Sequence, residues 1–250
     1  MLLDMDGVLV IAWQALPGAA ETLHTLRERG VPFLLATNAT SVSRAALAEK
    51  LGQAGLDVDA SLVVTAPVLA ASYLRANYPG ARCFLVGEPD IREELAGVTL
   101  VEDDADVVLV AGADSAFTWE NLSRAFRMLE RGAALVAMHR NMFWMTENGL
   151  MLDTGAFLVG LERAAVVEAV VTGKPSPEFF RRCVDLLGVP PERVAMVGDD
   201  LEADVLAAQH VGLTGVLVRT GKFLLETLER SVRKPDHVIE SIEELPELLP

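Results

Sequence analysis

Met1-Leu2-Leu3-Asp4-Met5-Asp6-Gly7 opens the chain as a short apolar run that stops at two carboxylates two residues apart. Such a run reads as a buried strand, and Asp-Gly is a turn pair, so the strand gives way to a loop at the acids. In extended backbone, residues i and i+2 leave on the same side of the pleat, which lets Asp4 and Asp6 share one cation and one phosphoryl group. Alone, the pair reads equally well as a turn or solvation feature. The rest of the chain decides between them.

Working outward, Leu16-Pro17-Gly18 introduces a helical stretch to about Arg29, Gly30 stops it, and Val31 to Ala36 reads as a buried strand. The theme recurs through a helix near Arg44 to Gln53 and a strand near Leu62 to Val64. Near the C-terminus, helices are expected over Pro177 to Leu187 and Leu201 to Gln209, with strands over Arg193 to Val197 and Leu213 to Val218. Continuous apolar strands separated by amphipathic helices argue for a parallel sheet covered on both faces. The middle third alternates independently, with strands at Cys83 to Val86, Val107 to Ala111 and Ala134 to Met138. Its helices fall near Pro67 to Ala76, Ile91 to Ala96 and Trp119 to Arg131. The expected fold is α/β: a three-layer, Rossmann-like core with a parallel sheet from residues 1–68 and 167–250, plus a smaller inserted α/β domain at 69–166.

At 250 residues and 51% hydrophobic content, the chain has ample material for a buried core. Thirty-six acidic against twenty-one basic residues leave a formal charge of −15, with no Lys/Arg stripe. That field repels nucleic acid and anionic lipid, so neither is an expected partner. It does not forbid a phosphate ligand, because one metal ion and one lysine can reverse the sign locally. Cys83 and Cys183 stand a hundred positions apart without a paired-spacing motif and read as reduced packing residues. The Asp pair interrupts any signal-like stretch at the N-terminus, and nowhere do about 20 apolar residues run uninterrupted. The simplest expected location is the cytoplasm.

Four segments end an expected core strand or begin the next loop: Asp4-Met5-Asp6-Gly7, Thr37-Asn38, Gly173-Lys174-Pro175, and Gly198-Asp199-Asp200 with Asp204 beyond. Ligands of open parallel sheets sit beyond the carboxyl ends of the strands, so three of these converge there by topology and the lysine joins from its loop. In order and type the motifs resemble those of the haloacid dehalogenase superfamily of aspartate-nucleophile phosphatases. The length of the insert resembles the α/β-capped subclass that includes 4-nitrophenylphosphatase and pyridoxal phosphatase. Met138-His139-Arg140-Asn141, Gly155-Ala156-Phe157 and Val171-Thr172-Gly173-Lys174-Pro175 are similar to the group of phospholysine phosphohistidine inorganic pyrophosphate phosphatase. Those relatives tend to carry Gly-Pro-Gly before the phenylalanine where this chain has Asp153-Thr154-Gly155.

The resemblance implies a Mg²⁺-dependent phosphatase acting on a small phosphorylated metabolite through an aspartyl-phosphate. It makes Asp4 the nucleophile and Asp6 the acid that protonates the leaving group and then activates water. Mg²⁺ takes hard oxygen ligands and usually one or two protein carboxylates, a demand that Asp4, the Asp6 carbonyl and Asp199 fit. Thr37 and Asn38 would cradle the phosphoryl oxygens, and Lys174 would bring a point charge to them and to Asp4. Asp200 and Asp204 read either as groups that orient metal-bound water or Lys174, or as helix cap and first-turn residues.

Within the insert, His139, Arg140, Asn141 and Asp153-Thr154-Gly155 read either as structural residues or as contacts to the leaving group. His24, His210 and His237 lack ligand spacing, Asp236 belongs to no recognisable motif, and Trp119 and Trp144 read as packing residues of the inserted domain. A homodimer through the cap is what the resemblance suggests. Three alternatives use overlapping chemistry: a receiver-like signalling module, a phospho-ligand-binding regulator without turnover, and a phosphotransferase or mutase with the same intermediate.

Overall fold

The structure, a computed structural model, describes residues 1–113, 115–146 and 149–249, and of residues 144–146 the backbone only. The chain divides into two compact units, one of residues 1–37, 44–64 and 174–250, the other of residues 38–43 and 65–173. The second unit is wider than the expected 69–166. Its N-terminal extension is the helix Ala66–Asn77, whose apolar face joins that unit's core, and its C-terminal extension is the strand Val170–Val171, which adds to that unit's sheet.

The first unit is built on a six-stranded sheet in the order His237–Ile239, Thr214–Val218, Ala195–Gly198, Leu2–Leu3, Leu34–Thr37, Val63–Thr65. Registers Leu2↔Met196, Leu2↔Leu34, Val197↔Val216 and Leu217↔Val238 are all parallel. Leu2, Leu3, Leu35, Ala36, Met196 and Val197 are fully buried. Their strands lack polar alternation because the sheet is covered on both faces. Helix Pro177–Leu187 packs on the Leu34–Thr37 strand, and the turn Leu201–Leu206 packs on Ala195–Gly198 and Thr214–Val218. Helix Ala19–Glu28 packs on the closing segment Ile242–Leu248.

Among the elements of this unit that were not anticipated are an edge strand and a hairpin. His237–Ile239 forms the sheet edge, stapled by Asp236, whose Oδ2 accepts from Gln209 Nε2 and from Gly215 N–H, each at 2.8 Å. A hairpin, Val10–Ile11 against Gln14–Ala15, follows the first motif, with Ala12 and Trp13 at φ 48° and 62° at its turn. Lys50 Nζ stands 4.5 Å from the centroid of the Trp13 ring, which offsets part of the left-handed backbone cost by a cation–π contact.

The second unit has a five-stranded parallel sheet, Val170–Val171, Ala134–Ala137, Val107–Val110, Arg82–Val86, Thr99–Leu100. Alternate side chains divide between two cores. Phe84, Val86, Val108, Val110, Leu135 and Ala137 face the helices Trp119–Glu130 and Thr154–Ala165. Cys83, Val107, Leu109 and Val136 face Ala66–Asn77 and Pro89–Leu95. This period of two, with both sides apolar, makes each strand read as one continuous hydrophobic run. An antiparallel hairpin, Phe143–Thr146 with Gly149–Leu152, is attached to it.

Trp119 corrects the sequence reading: it begins its helix just after the N-cap Thr118 and is 83% exposed, so it does not pack. The expectation for the Trp144 side chain lies outside the described residues. Among the described residues, no helix is long and apolar enough to cross a membrane.

Candidate active site

The Leu2–Leu3 strand is flanked by Ala195–Gly198 on one side and Leu34–Thr37 on the other, and the Asp4 N–H continues the ladder to Val197 O at 2.9 Å. Asp4 and Asp199 therefore leave adjacent parallel strands at their carboxyl ends, and Thr37 ends the strand on the other side of Asp4. Lys174 Nζ donates to Asp4 Oδ1 at 2.8 Å and reaches Asp204 Oδ1 at 2.6 Å. Asp4, Lys174, Asp199 and Asp204 are only 6, 4, 2 and 1% exposed. Carboxylate oxygens of Asp4, Asp199 and Asp204 all lie within 4.8 Å of one another.

These three buried acids are electrostatically unbalanced: Lys174 pairs with Asp4 and Asp204, and on Asp199 the opposing positive charge is that of Lys222. Two unit charges at that spacing repel by about 3 kcal/mol at an effective dielectric of 20. Burial, reinforced by Asp4 and Asp204, pushes the Asp199 carboxyl well above its ordinary range. Burial also drives Asp204 up, with Lys174 acting against the shift and Asp4 adding to it. For Lys174, burial alone would favour the neutral amine, but Asp204 and Asp4 outweigh it and hold the ammonium charged. Asp199 Oδ1 is buried and has no hydrogen-bond partner among the described residues. A ring of hard oxygens with surplus negative charge and one unpartnered buried oxygen fits a divalent cation such as Mg²⁺.

The backbone explains how the later acids reach this ring. Asp200 caps the turn that follows, accepting on Oδ1 from Glu202 N–H at 3.1 Å and Ala203 N–H at 2.9 Å. Leu201–Leu206 then winds as a π-helical turn, with Val205 N–H reaching back to Asp200 O. Such wide turns recur at functional sites because they re-aim a side chain, and here Asp204 points to Lys174. Of the two roles left open for these residues, Asp200 takes the cap geometry and Asp204 the contact with the lysine. Asp200 N–H also donates to Asp204 Oδ2 at 3.3 Å, tying the two together.

Asp6 lies outside the cluster and exposes its side chain at the mouth of the loop. Its carboxyl is nevertheless crowded by protein, and that desolvation, with the charge of Asp4, raises it to about 6, against the pull of Lys222 and Lys174. Asn38 belongs to the second unit, where its Oδ1 lies 2.7 Å from the place a Cβ on Gly173 would occupy.

One contributor was not anticipated. The loop Thr220-Gly221-Lys222 follows the strand Thr214–Val218, and its Lys222 N–H donates to Asp199 Oδ2 at 2.7 Å. Thr220 Oγ1 donates to Gly7 O. A signal existed: Leu213 to Val218 is a buried apolar run, so the Gly-Lys after it occupies the same topological position as the other site loops.

The second unit holds its own buried polar cluster. His139 Nδ1 accepts from Asn141 N–H at 3.3 Å, and its Nε2 lies 3.4 Å from Thr40 Oγ1 and 3.8 Å from Asp153 Oδ1. Asp153 caps helix Thr154–Ala165, accepting from Thr154 N–H at 2.7 Å, and Ala113 N–H donates to the same oxygen at 3.3 Å. Arg140 makes a double hydrogen bond to Glu162. These contacts give His139, Arg140 and Asp153 structural work within their unit.

A haloacid dehalogenase-like hydrolase model matches residues 1–100, and a second HAD-hydrolase-like model matches residues 171–245. Human haloacid dehalogenase-like hydrolase domain-containing protein 2 is 34% identical over 223 residues, which is 89% of this chain and 85% of the relative. Human phospholysine phosphohistidine inorganic pyrophosphate phosphatase is 31% identical, over 100% of this chain and 93% of its own. Among solved structures, a 4-nitrophenylphosphatase from Thermotoga maritima superposes with a TM-score of 0.93 at 32% identity, covering 98% of this chain and 95% of that one. A glycerol phosphate phosphatase from Mycobacterium tuberculosis, in complex with magnesium, gives 0.90 at 29% identity, covering 98% of this chain and 76% of that one. With its α/β architecture and these relatives, the chain belongs to the haloacid dehalogenase-like hydrolases and is a phosphatase acting on phosphoric ester bonds.

Proposed function

We propose that the protein is a Mg²⁺-dependent phosphatase that hydrolyses small phosphorylated metabolites through an aspartyl-phosphate on Asp4. The observation that carries this reading is the buried cluster of Asp4, Asp199 and Asp204, with Lys174 paired to Asp4 and Asp204 and with Asp199 Oδ1 unpartnered among the described residues. Asp4, Asp199 and the backbone carbonyl of Asp6 would hold the ion. When bound, Mg²⁺ neutralises phosphate charge and lets a carboxylate approach a dianion. The magnesium complex of the glycerol phosphate phosphatase supports the choice of metal.

Asp4 attacks phosphorus in line with the leaving oxygen, and Lys174 steadies both the nucleophile and the phosphoryl oxygens. Asp204 holds Lys174 charged and pointed at Asp4. Thr37 supplies a hydroxyl and backbone N–H at the end of the neighbouring strand, with Asn38 as the next donor in sequence. Asp6 protonates the departing oxygen and then takes a proton from the water that cleaves the acyl-phosphate; a carboxyl raised to about 6 can do both. The second unit serves as the cap, expected at 69–166. Its exposed Met142, Phe143, Leu150, Met151 and Leu152 support a homodimer through that unit, which sedimentation equilibrium tests.

Acid-quenching the enzyme with a ³²P-labelled aryl phosphate tests the chemistry. Label bound to protein, released by hydroxylamine and absent in Asp4→Asn, is the expected result. Full turnover by Asp4→Asn, or by chelated enzyme, sinks the reading. Transfer of the label to a sugar hydroxyl rather than to water would instead favour the mutase or transferase alternative.

A further inference from the structure

We propose that Thr220-Gly221-Lys222 is a positioning loop that decides which oxygen of Asp199 is offered to the cation; the inference rests on the metal-dependent reading above. Asp199 Oδ2 is already engaged by the Lys222 N–H at 2.7 Å, whereas Oδ1 is buried and unpartnered. The two oxygens therefore differ in their engagement: one anchors the side chain to backbone, and the other is buried with no partner among the described residues.

The anchoring requires two glycines from different loops. A Cβ on Gly7 would stand 2.0 Å from Asp199 Oδ2, and a Cβ on Gly221 would stand 2.0 Å from the same atom and 2.6 Å from Gly7 Cα. Both residues have positive φ, 85° and 59°, where a side chain is strained in any case. The carboxylate oxygen thus passes between two bare backbones, and the Thr220 Oγ1 bond to Gly7 O holds those backbones together. Such support of a ligating carboxylate by neighbouring hydrogen bonds tunes metal affinity, typically by 10- to 100-fold.

A further consequence concerns metal choice. With Oδ2 held by the Lys222 N–H, Asp199 would offer Oδ1 to the ion. A single oxygen suits the octahedral demand of Mg²⁺ better than that of Ca²⁺, which accepts carboxylates in bidentate fashion and takes more ligands. The loop therefore favours Mg²⁺ over Ca²⁺ at this carboxylate.

The test is Mn²⁺ binding to the metal-stripped full chain, measured by the electron paramagnetic resonance of free Mn²⁺, with Mg²⁺ and Ca²⁺ as competitors. Gly221→Ala is expected to weaken Mn²⁺ binding by about tenfold or more and to narrow the Mg²⁺ to Ca²⁺ preference. Thr220→Val, which keeps the glycine, is expected to weaken it by about threefold, a smaller share of the same effect. Gly188→Ala is the control: its φ is +67°, a Cβ there meets nothing within 4 Å, and it caps a helix away from the ring, so it should cost stability without changing Mn²⁺ affinity. Wild-type Mn²⁺ affinity in both loop variants, or in Thr220→Val alone if Gly221→Ala does not fold, overturns the inference and leaves the phosphatase reading standing. A wild-type chain that binds no Mn²⁺ overturns both.

Discussion

Both units bury a polar cluster beyond the carboxyl ends of a parallel sheet, yet the two are assembled on opposite electrostatic terms. In the second unit, Asp153, His139, Thr40 and Thr154 are tied by hydrogen bonds to one another and to backbone N–H groups. In the first, three carboxylates crowd together with Lys174 paired to two of them, and among the described residues a buried oxygen of Asp199 has no partner. The first arrangement is costly to the folded chain by itself, the second is not. That difference teaches where function lies, because a buried polar group kept short of partners makes sense when another species supplies them.

Substitutions can break this contrast. The largest effect is expected from Asp4→Asn, which should lower aryl phosphate hydrolysis by at least about a thousandfold while leaving the circular dichroism spectrum intact. Next comes Lys174→Met: with the ammonium gone, buried acids face one another uncompensated, and urea unfolding should show a loss of about 3–5 kcal/mol. Two further variants pull in opposite directions. Asp199→Asn removes a carboxyl whose ionisation burial, Asp4 and Asp204 oppose, and should raise the stability of the metal-free protein by about 1 kcal/mol while abolishing its Mg²⁺-dependent rise in Tm. Asp153→Ala removes a satisfied helix cap and should lower stability by about 1–2 kcal/mol with no change in that Mg²⁺ response. A fall in both would show that the two clusters do not differ as described.

A smaller effect is expected at Glu162. Burial opposes its charge, but the hydrogen bonds from Arg140 and Ala169 N–H, with the Arg140 charge, outweigh it and hold the carboxyl below its ordinary 4.5. A depressed folded-state value means the contribution is complete above about pH 4.5 and lost as pH falls through the lower folded value. Thermal melts of Glu162→Gln should therefore converge with wild type under acid and separate from it near neutrality. The smallest effect belongs to Trp119→Ala, within about 0.5 kcal/mol on chemical denaturation, because the indole is exposed.

Legibility in the sequence followed burial and charge. Strands such as Val107–Val110 and Leu34–Thr37 announced themselves as unbroken apolar runs because both faces of their sheets are covered. The edge strand His237–Ile239 did not, since only Ile239 is buried. Nor did the hairpin after the first motif: its turn residues, Ala12 and Trp13, lack the Gly or Asn that usually marks left-handed backbone. Of the site, Asp4 and Asp199 were legible from their place at strand ends, Lys174 from its loop and the family resemblance, and Asp204 only as one of two readings left open. The π-helical turn that aims Asp204 depends on a hydrogen-bond shift with no side-chain signature. Thr220-Gly221-Lys222 escaped because its contact with Asp199 is made by a main-chain N–H, which nearly every residue carries.

The opening strand is only two residues long, and its register against Met196 and Leu34 sets the direction in which Asp4 projects. Side chains on extended backbone alternate, so one residue inserted between Leu2 and Asp4 would turn the Asp4 carboxylate to the opposite side of the sheet. This stretch can therefore absorb a change of hydrophobic side chain far more readily than a change of length. For anyone building libraries or fusions on this scaffold, the spacing between Leu2 and Asp4 is the dimension to leave untouched.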